Sequence, residues 1–215
     1  MEFKQKIDIA FDRAIMEESS ISEEIMEMTG MTGQQTRHFY NNMLKMDDAR
    51  YLEIGTWMGS SVCSAMCGNK ATVVCIDNWS EFDGPKEKFI EYFTKYTGEN
   101  TARFIEADCF KVDVSTLPKF NIFLYDGAHD EESHYKALSH YYDCLDDIFI
   151  FIVDDWRWQH VRDATYRAIK ELGLTTLYSR EVHTHLEGMT YRQQSIAKAQ
   201  WWDGIYVAVL QKGSK

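Results

Sequence analysis

Tyr51-Leu52-Glu53-Ile54-Gly55-Thr56-Trp57-Met58-Gly59-Ser60-Ser61 is the stretch on which the fold turns. A short apolar run leads straight into two glycines and then into serines that can open a helix, so it reads as strand, loop and helix. Gly55 allows a tight turn and the close approach of a ligand. Gly59 lets the helix begin against the strand with its free N–H groups facing the crevice. Such a junction makes a nucleotide-like pocket. A dinucleotide site wants G-x-G-x-x-G around a pyrophosphate, whereas the first glycine position here is Glu53, whose carboxylate repels phosphate and suits a cationic ligand.

Downstream of this junction, short apolar runs alternate with longer helical stretches, which predicts a parallel sheet with helices on both faces. Strands are expected at Tyr51–Ile54, Thr72–Ile76, Arg103–Glu106, Ile122–Tyr125 and Phe149–Val153. Helices are expected at Ser60–Cys67, Lys86–Tyr96, Glu132–Leu145 and His160–Leu172. The rhythm then changes: a strand near Leu174–Arg180, a long polar stretch to Gln200, and a strand at Ile205–Leu210 that can pair antiparallel with it. Both prolines, Pro85 and Pro118, fall outside these strands.

Upstream, residues 1–48 carry no strand signal. Ile7, Phe11, Ala14 and Ile15 recur at helical spacing, and Thr32 with Gln35 reads as a capping box opening a second helix through Phe39, Met43, Leu44 and Met46. This helical extension is a packing appendage, a lid or a dimer face, the last implying a homo-oligomer. The rest, residues 49–215, is one α/β domain.

The 215 residues, 45% hydrophobic and 14% aromatic, suffice for one domain with a sizeable core. A net charge of -11 with no basic stripe argues against a nucleic-acid partner. No apolar run approaches the roughly 20 residues of a membrane span, so a soluble, cytoplasmic protein is expected. Cys63, Cys67, Cys75, Cys109 and Cys144 make an odd set without a CxxC pair and are read as reduced thiols. Cys63 and Cys67, four apart on one helix, are read as small buried thiols rather than a metal or redox pair.

The second strand ends at Asp77, about 20 residues after the glycine loop, where a carboxylate can accept hydrogen bonds from both ribose hydroxyls. Asn78 and Trp79 follow it. The third strand ends in Ala107-Asp108-Cys109, where a carboxylate can receive an adenine amino group. Adenosylmethionine, with an amino group, a sulfonium and no phosphate, fits this set. At these residues the chain resembles the class I, Rossmann-like S-adenosylmethionine-dependent methyltransferases over roughly Tyr51–Leu210, with Glu53 to Ser61 as the glycine motif. The resemblance implies that Gly55 and its loop, with Thr56, Gly59, Ser60 and Ser61, bind the methionine moiety, Asp77 the ribose, and Asp108 with Cys109 the adenine. One departure is Leu145-Asp146-Asp147-Ile148, where the family often has a Pro-Gly-Gly turn before its fifth strand.

The fourth strand stops at Tyr125-Asp126-Gly127-Ala128-His129-Asp130 and the fifth at Val153-Asp154-Asp155-Trp156. In an open parallel sheet the ligand crevice lies beyond the carboxyl ends of such neighbouring strands. Converging carboxylates are costly to desolvate unless a cation or a proton compensates, and an oxygen-only set suits a hard ion such as magnesium, manganese or calcium. The alternative is that these acids cap the following helices. The same residues extend the resemblance to the metal-dependent O-methyltransferases of the catechol and macrolide-sugar types, which implies Asp126, Asp154 and Asp155 as ligands. His129, two residues past the Asp-Gly turn, has an ordinary pKa suited to a general base, with a surface or capping role as the bland reading. His183 and His185 form an H-x-H pair without a third ligand, read as structural or substrate-facing. Trp79, Trp156, Trp158, Trp201 and Trp202 cluster towards the crevice as core closure or as stacking faces.

The expectation is therefore a doubly wound α/β sheet, mostly parallel with an antiparallel last strand. It would transfer a methyl group from adenosylmethionine to a hydroxyl of a small acceptor at a divalent metal, with Asp126 beside both donor and acceptor. A nucleotide-cofactor oxidoreductase on the same architecture and a non-catalytic binding module are the alternatives.

Overall fold

A computed structural model describes residues 2–185 and 187–213. The chain begins with three helices, α1 (Glu2–Ile15), α2 (Glu23–Met26) and α3 (Gln34–Met43). Then follow β1 (Arg50–Ile54), α4 (Ser60–Met66), β2 (Thr72–Asp77), α5 (Lys86–Tyr96), β3 (Thr101–Glu106), β4 (Phe120–Tyr125), α6 (Glu131–Tyr141), β5 (Leu145–Val153) and α7 (Gln159–Glu171). The last elements are β6 (Thr175–Val182), α8 (Tyr191–Trp201) and β7 (Ile205–Gln211). Among the described residues these strands form one seven-stranded sheet in the order β3-β2-β1-β4-β5-β7-β6. The first five strands run parallel. β7 pairs antiparallel with β6, as expected of the last two strands, and inserts between it and β5.

Burial follows sheet position. Every residue of β4 is buried and β7 is buried up to its last residue, whereas the edge strands β3 and β6 alternate and stay largely exposed. Strands covered on both faces read as apolar runs, and edge strands do not. Side-chain alternation divides the core in two. On one face Tyr51, Ile122, Leu124, Ile150 and Ile152 pack with Phe11, Phe39, Tyr40 and Val62. On the other, Leu52, Ile54, Phe123, Tyr125, Phe151 and Val153 pack with Leu138, Trp156 and Val161.

Helix α3 is buried from Gln35 to Met43 and joins the N-terminal segment to the main core. Its start differs from expectation: Gly33 is the N-cap, and the Thr32 hydroxyl lies 3.2 Å from Ser60 Oγ instead of closing a capping box with Gln35. The end of α8 lies against Gly33, where a Cβ would come 2.4 Å from Gln200 O. A true capping box forms at Thr190 and Gln193, where it opens α8 inside the long polar stretch before the last strand. Leu145-Asp146-Asp147-Ile148 makes no tight turn but enters β5 with a register shift, Phe120 pairing with Leu145 and Ile122 with Ile150. No described helix is long and apolar enough to cross a membrane, and all five cysteines are free.

Candidate active site

The glycine loop closes one side of a cavity of about 340 Å³ at the carboxyl ends of the parallel strands, within the range typical of small-ligand sites. Gly55 has φ +83, and a Cβ there would come 1.8 Å from Asp126 O. The β1 and β4 loops touch through that missing side chain. Gly59, with φ +88, caps α4 but does not line the cavity. Asp77 Oδ2 accepts from the backbone N–H groups of Thr56 (2.8 Å) and Trp57 (2.9 Å), while Oδ1 accepts from Trp79 N (2.7 Å). Asp77 thus anchors the loop and keeps one acceptor direction on Oδ1.

Glu53 departs from the expected role of cofactor contact. It is fully buried outside the cavity lining, its oxygens accepting from Tyr51 OH (2.5 Å) and Ser61 Oγ (2.6 Å). Burial raises its pKa to about 7 against the opposing effect of those hydrogen bonds. Asp108 lines the cavity, caps the turn at Cys109–Lys111 by accepting from Phe110 N, and pairs with Lys111 at 3.1 Å.

Past β4 and β5, Asp126, His129 and Asp155 each offer one ligand atom within 4.8 Å of the others. His129 Nε2 lies 3.0 Å from Asp155 Oδ2, and that hydrogen bond raises the histidine pKa. Asp154, expected as a ligand with Asp126 and Asp155, lines the same cavity, and its charge acts on Asp126. Asp154 and Asp155 follow the end of β5, both buried, and Asp155 has φ +58. Asp154 is 3% exposed and Tyr40 1%, and among the described residues neither Asp154 Oδ1 nor the Tyr40 hydroxyl has a hydrogen-bond partner. Burial, then the charge of Asp154, pushes Tyr40 well above its ordinary pKa. Burial and neighbouring carboxylates push Asp126 and Asp154 well above the usual carboxylate range.

The donor set fits a divalent cation. Ligands of one ion at about 2.0–2.6 Å lie at most about 4–5 Å apart, which matches the spread of Asp126, His129 and Asp155. One imidazole nitrogen among carboxylates widens the choice beyond hard ions. The cavity lining holds six carboxylates, Asp77, Glu81, Asp108, Asp126, Asp154 and Asp155, and no lysine or arginine. It is built for positive charge.

Thr56, Ser60, Ser61, Asn78, Trp79 and Cys109 line the cavity as expected. Of the other tryptophans, Trp156 stacks on Tyr206 in the core, Trp201 packs against Phe11, Trp158 is exposed, and Trp202 lines the cavity. His183 pairs with Glu181 at 2.8 Å and His185 is exposed. Sequence reasoning missed Met31, Thr32, Phe82 and Phe110 in the lining. No motif marks them; the turns that aim the neighbouring Trp57, Trp79, Phe82 and Trp202 have positive φ at non-glycine residues, for which the sequence carries no signal.

Residues 52–156 match the family described as methyltransferase domain. No curated protein matches the chain. Among solved structures, TrmN from Thermus thermophilus superposes with a TM-score of 0.58 at 15% identity, covering 88% of this chain and 52% of that one. This chain therefore spans about half the length of TrmN. An O-methyltransferase from Bacillus cereus in complex with SAH gives 0.57 at 11% identity, covering 96% and 91%. An rRNA methylase from Streptococcus thermophilus gives 0.53 at 11% identity, covering 84% and 96%. At such identities these likenesses establish the fold.

Proposed function

We propose, from the similarity of residues 52–156 to the methyltransferase domain family, that the protein moves the methyl group of S-adenosylmethionine onto a hydroxyl of a small acceptor, assisted by a divalent cation. The observation that carries the reading is the meeting of Asp126, His129 and Asp155 in the same cavity as the glycine loop. In this reading Gly55 and Thr56 receive the methionine moiety, Asp77 Oδ1 with Asn78 a ribose hydroxyl, and Asp108 with Cys109 the adenine edge. The six carboxylates compensate the sulfonium.

Held by Asp126, His129 or Asp155, a divalent cation would fix the acceptor oxygen and lower its pKa. The histidine has a second task, because its Nδ1 has no hydrogen-bond partner among the described residues. As the acceptor hydroxyl loses its proton to His129, its oxygen forms the new bond to the methyl carbon. The carbon–sulfur bond breaks, and its electron pair stays on the neutral thioether of adenosylhomocysteine. Asp155 orients the ring and stabilises the imidazolium that results. In that role Nε2 donates to Asp155 and Nδ1 takes the proton, so His129 is not at the same time a ligand, and Asp126 and Asp155 would hold the cation.

The cavity's acidity, with the net charge of -11, favours a small acceptor over an RNA backbone, although TrmN and an rRNA methylase share the fold. Five unpaired thiols are in keeping with a cytoplasmic site of action. The test is methyl transfer from labelled adenosylmethionine to a panel of small hydroxylated acceptors, before and after chelation, with calorimetry of donor binding alongside. His129→Ala should lower kcat by about 10²–10⁴-fold and leave donor affinity nearly unchanged. Full activity after exhaustive chelation would remove the cation from the reading, and an unchanged kcat in His129→Ala would remove the base.

A further inference from the structure

Arg37, on the buried helix α3, is 4% exposed, and among the described residues no carboxylate pairs with it. Its guanidinium donates instead to four backbone carbonyls: Nε to Thr32 O (3.2 Å), Nη1 to Ile25 O (3.0 Å) and Met26 O (3.1 Å), and Nη2 to Met28 O (2.9 Å). A buried cation without a counter-ion is costly unless its N–H groups are satisfied. Carbonyls at the C-terminal end of α2 and in the loop beyond it supply partial negative charge for that purpose.

Those carbonyls belong to the segment that ends in Met31 and Thr32, both of which line the cavity. In the same segment Gly30 approaches α4 so closely that a Cβ would come 2.0 Å from Ser60 Oγ, and Thr32 Oγ1 lies 3.2 Å from the same atom. Ser60 opens the helix that follows the glycine loop and itself lines the cavity. One guanidinium therefore ties a wall of the cavity to a helix buried in the core. Its planar fork can hold four carbonyls at once, which the single ammonium of a lysine cannot.

We propose that Arg37 is a positioning residue for the methyl donor, holding segment 25–32 as a fixed wall of the adenosylmethionine cavity. Residues 1–48 are then part of the donor site rather than a lid or a dimer face. The inference rests on the donor reading given above and deepens it.

The test measures donor affinity by calorimetry, kcat at saturating donor, and amide hydrogen exchange over residues 25–32, which needs no donor. Arg37→Met should raise the donor Kd by about ten- to a hundredfold, the scale of a displaced binding wall, and speed exchange in that segment, with kcat at saturating donor within about twofold. Arg37→Lys should recover part of the affinity. Should the arginine variants fail to fold, Gly30→Ala keeps the arginine but drives a methyl into Ser60 and to 3.1 Å from Arg37 Nη2, and should weaken donor binding in the same way. Folded Arg37→Met or Gly30→Ala protein with wild-type donor affinity would overturn the proposal, as would a kcat that falls while Kd stands still. Wild-type protein that takes up no adenosylmethionine would defeat the donor reading and this proposal with it. Exchange then separates the two failures: amides loosened in Arg37→Met mean a real clamp on a site for another ligand, and unchanged amides mean no clamp.

Discussion

Asp77 is expected at the ribose, yet its carboxylate already accepts three backbone N–H groups, two from the glycine loop and one from Trp79. Asp77→Asn keeps the shape but turns an N–H donor towards one of those amides. It should cost about 1–3 kcal/mol, the penalty of leaving a charged hydrogen-bond set unmet, and should also weaken donor binding. Thermal denaturation and calorimetry on one sample separate the two effects, and an Asn variant as stable as wild type would deny Asp77 the anchoring role. Asp126, His129 and Asp155 were legible because acids and a histidine after strand ends must face the crevice. Asp154, expected as a ligand beside them, lines the same cavity but is only 3% exposed, which a strand-end position does not reveal, whereas alternation along a strand does carry a signal at β1. The same alternation places Glu53 with Tyr51, beneath the loop instead of in the cavity. Arg37 and Tyr40 were illegible, since only tertiary packing reveals a cation on carbonyls or a buried hydroxyl without a partner.

At the scale of elements, strand positions followed from apolar runs and spacing, while helix starts did not. A Thr-x-x-Gln pattern occurs at Thr32 and again at Thr190, and only the second becomes a capping box. Thr32 is held by Ser60 and Gly33 by the close pass of α8, so tertiary contacts override the local signal. The two loop glycines offer a controlled comparison. Both have positive φ, so either alanine carries the backbone strain of about 1–3 kcal/mol for a non-glycine residue there. At Gly59 the added methyl meets the Phe89 ring at 3.1 Å, which can shift; at Gly55 it meets Asp126 O at 1.8 Å, which belongs to the backbone of the β4 loop. Gly55→Ala should therefore lose clearly more stability in urea than Gly59→Ala and should also disturb the Asp126, His129 and Asp155 group. Equal losses in the two variants would mean that the β1 and β4 loops part without cost.

For the molecule as a whole, an acidic chain has gathered six carboxylates at one cavity and buried a seventh, Glu53, beneath it. That arrangement has a pH signature whose sign is set by linkage. Burial holds the folded pKa of Glu53 at about 7 against an ordinary value of 4.5. Below the lower value both folded and unfolded chains hold the proton, so nothing is lost. Between the two values the unfolded chain releases its proton while the folded one keeps it, and stability falls as pH rises. Above the upper value both are ionised, and the loss levels off near 3 kcal/mol by order of magnitude, about 1.4 kcal/mol for each pKa unit. Asp126 and Asp154 are displaced in the same direction, so they steepen the fall. A cation at the Asp126, His129 and Asp155 group opposes only the share that arises there, and it does so where the carboxylates are ionised. The wild-type melting temperature should thus drop from about pH 5 to about pH 8, and magnesium should restore more of it at the higher pH. Glu53→Gln, with an amide that can still meet Tyr51 and Ser61, should flatten the drop whether or not magnesium is present. A wild-type melting temperature that climbs over this interval, or an equally steep drop in Glu53→Gln, would show that the buried glutamate is not held above its ordinary pKa by the fold.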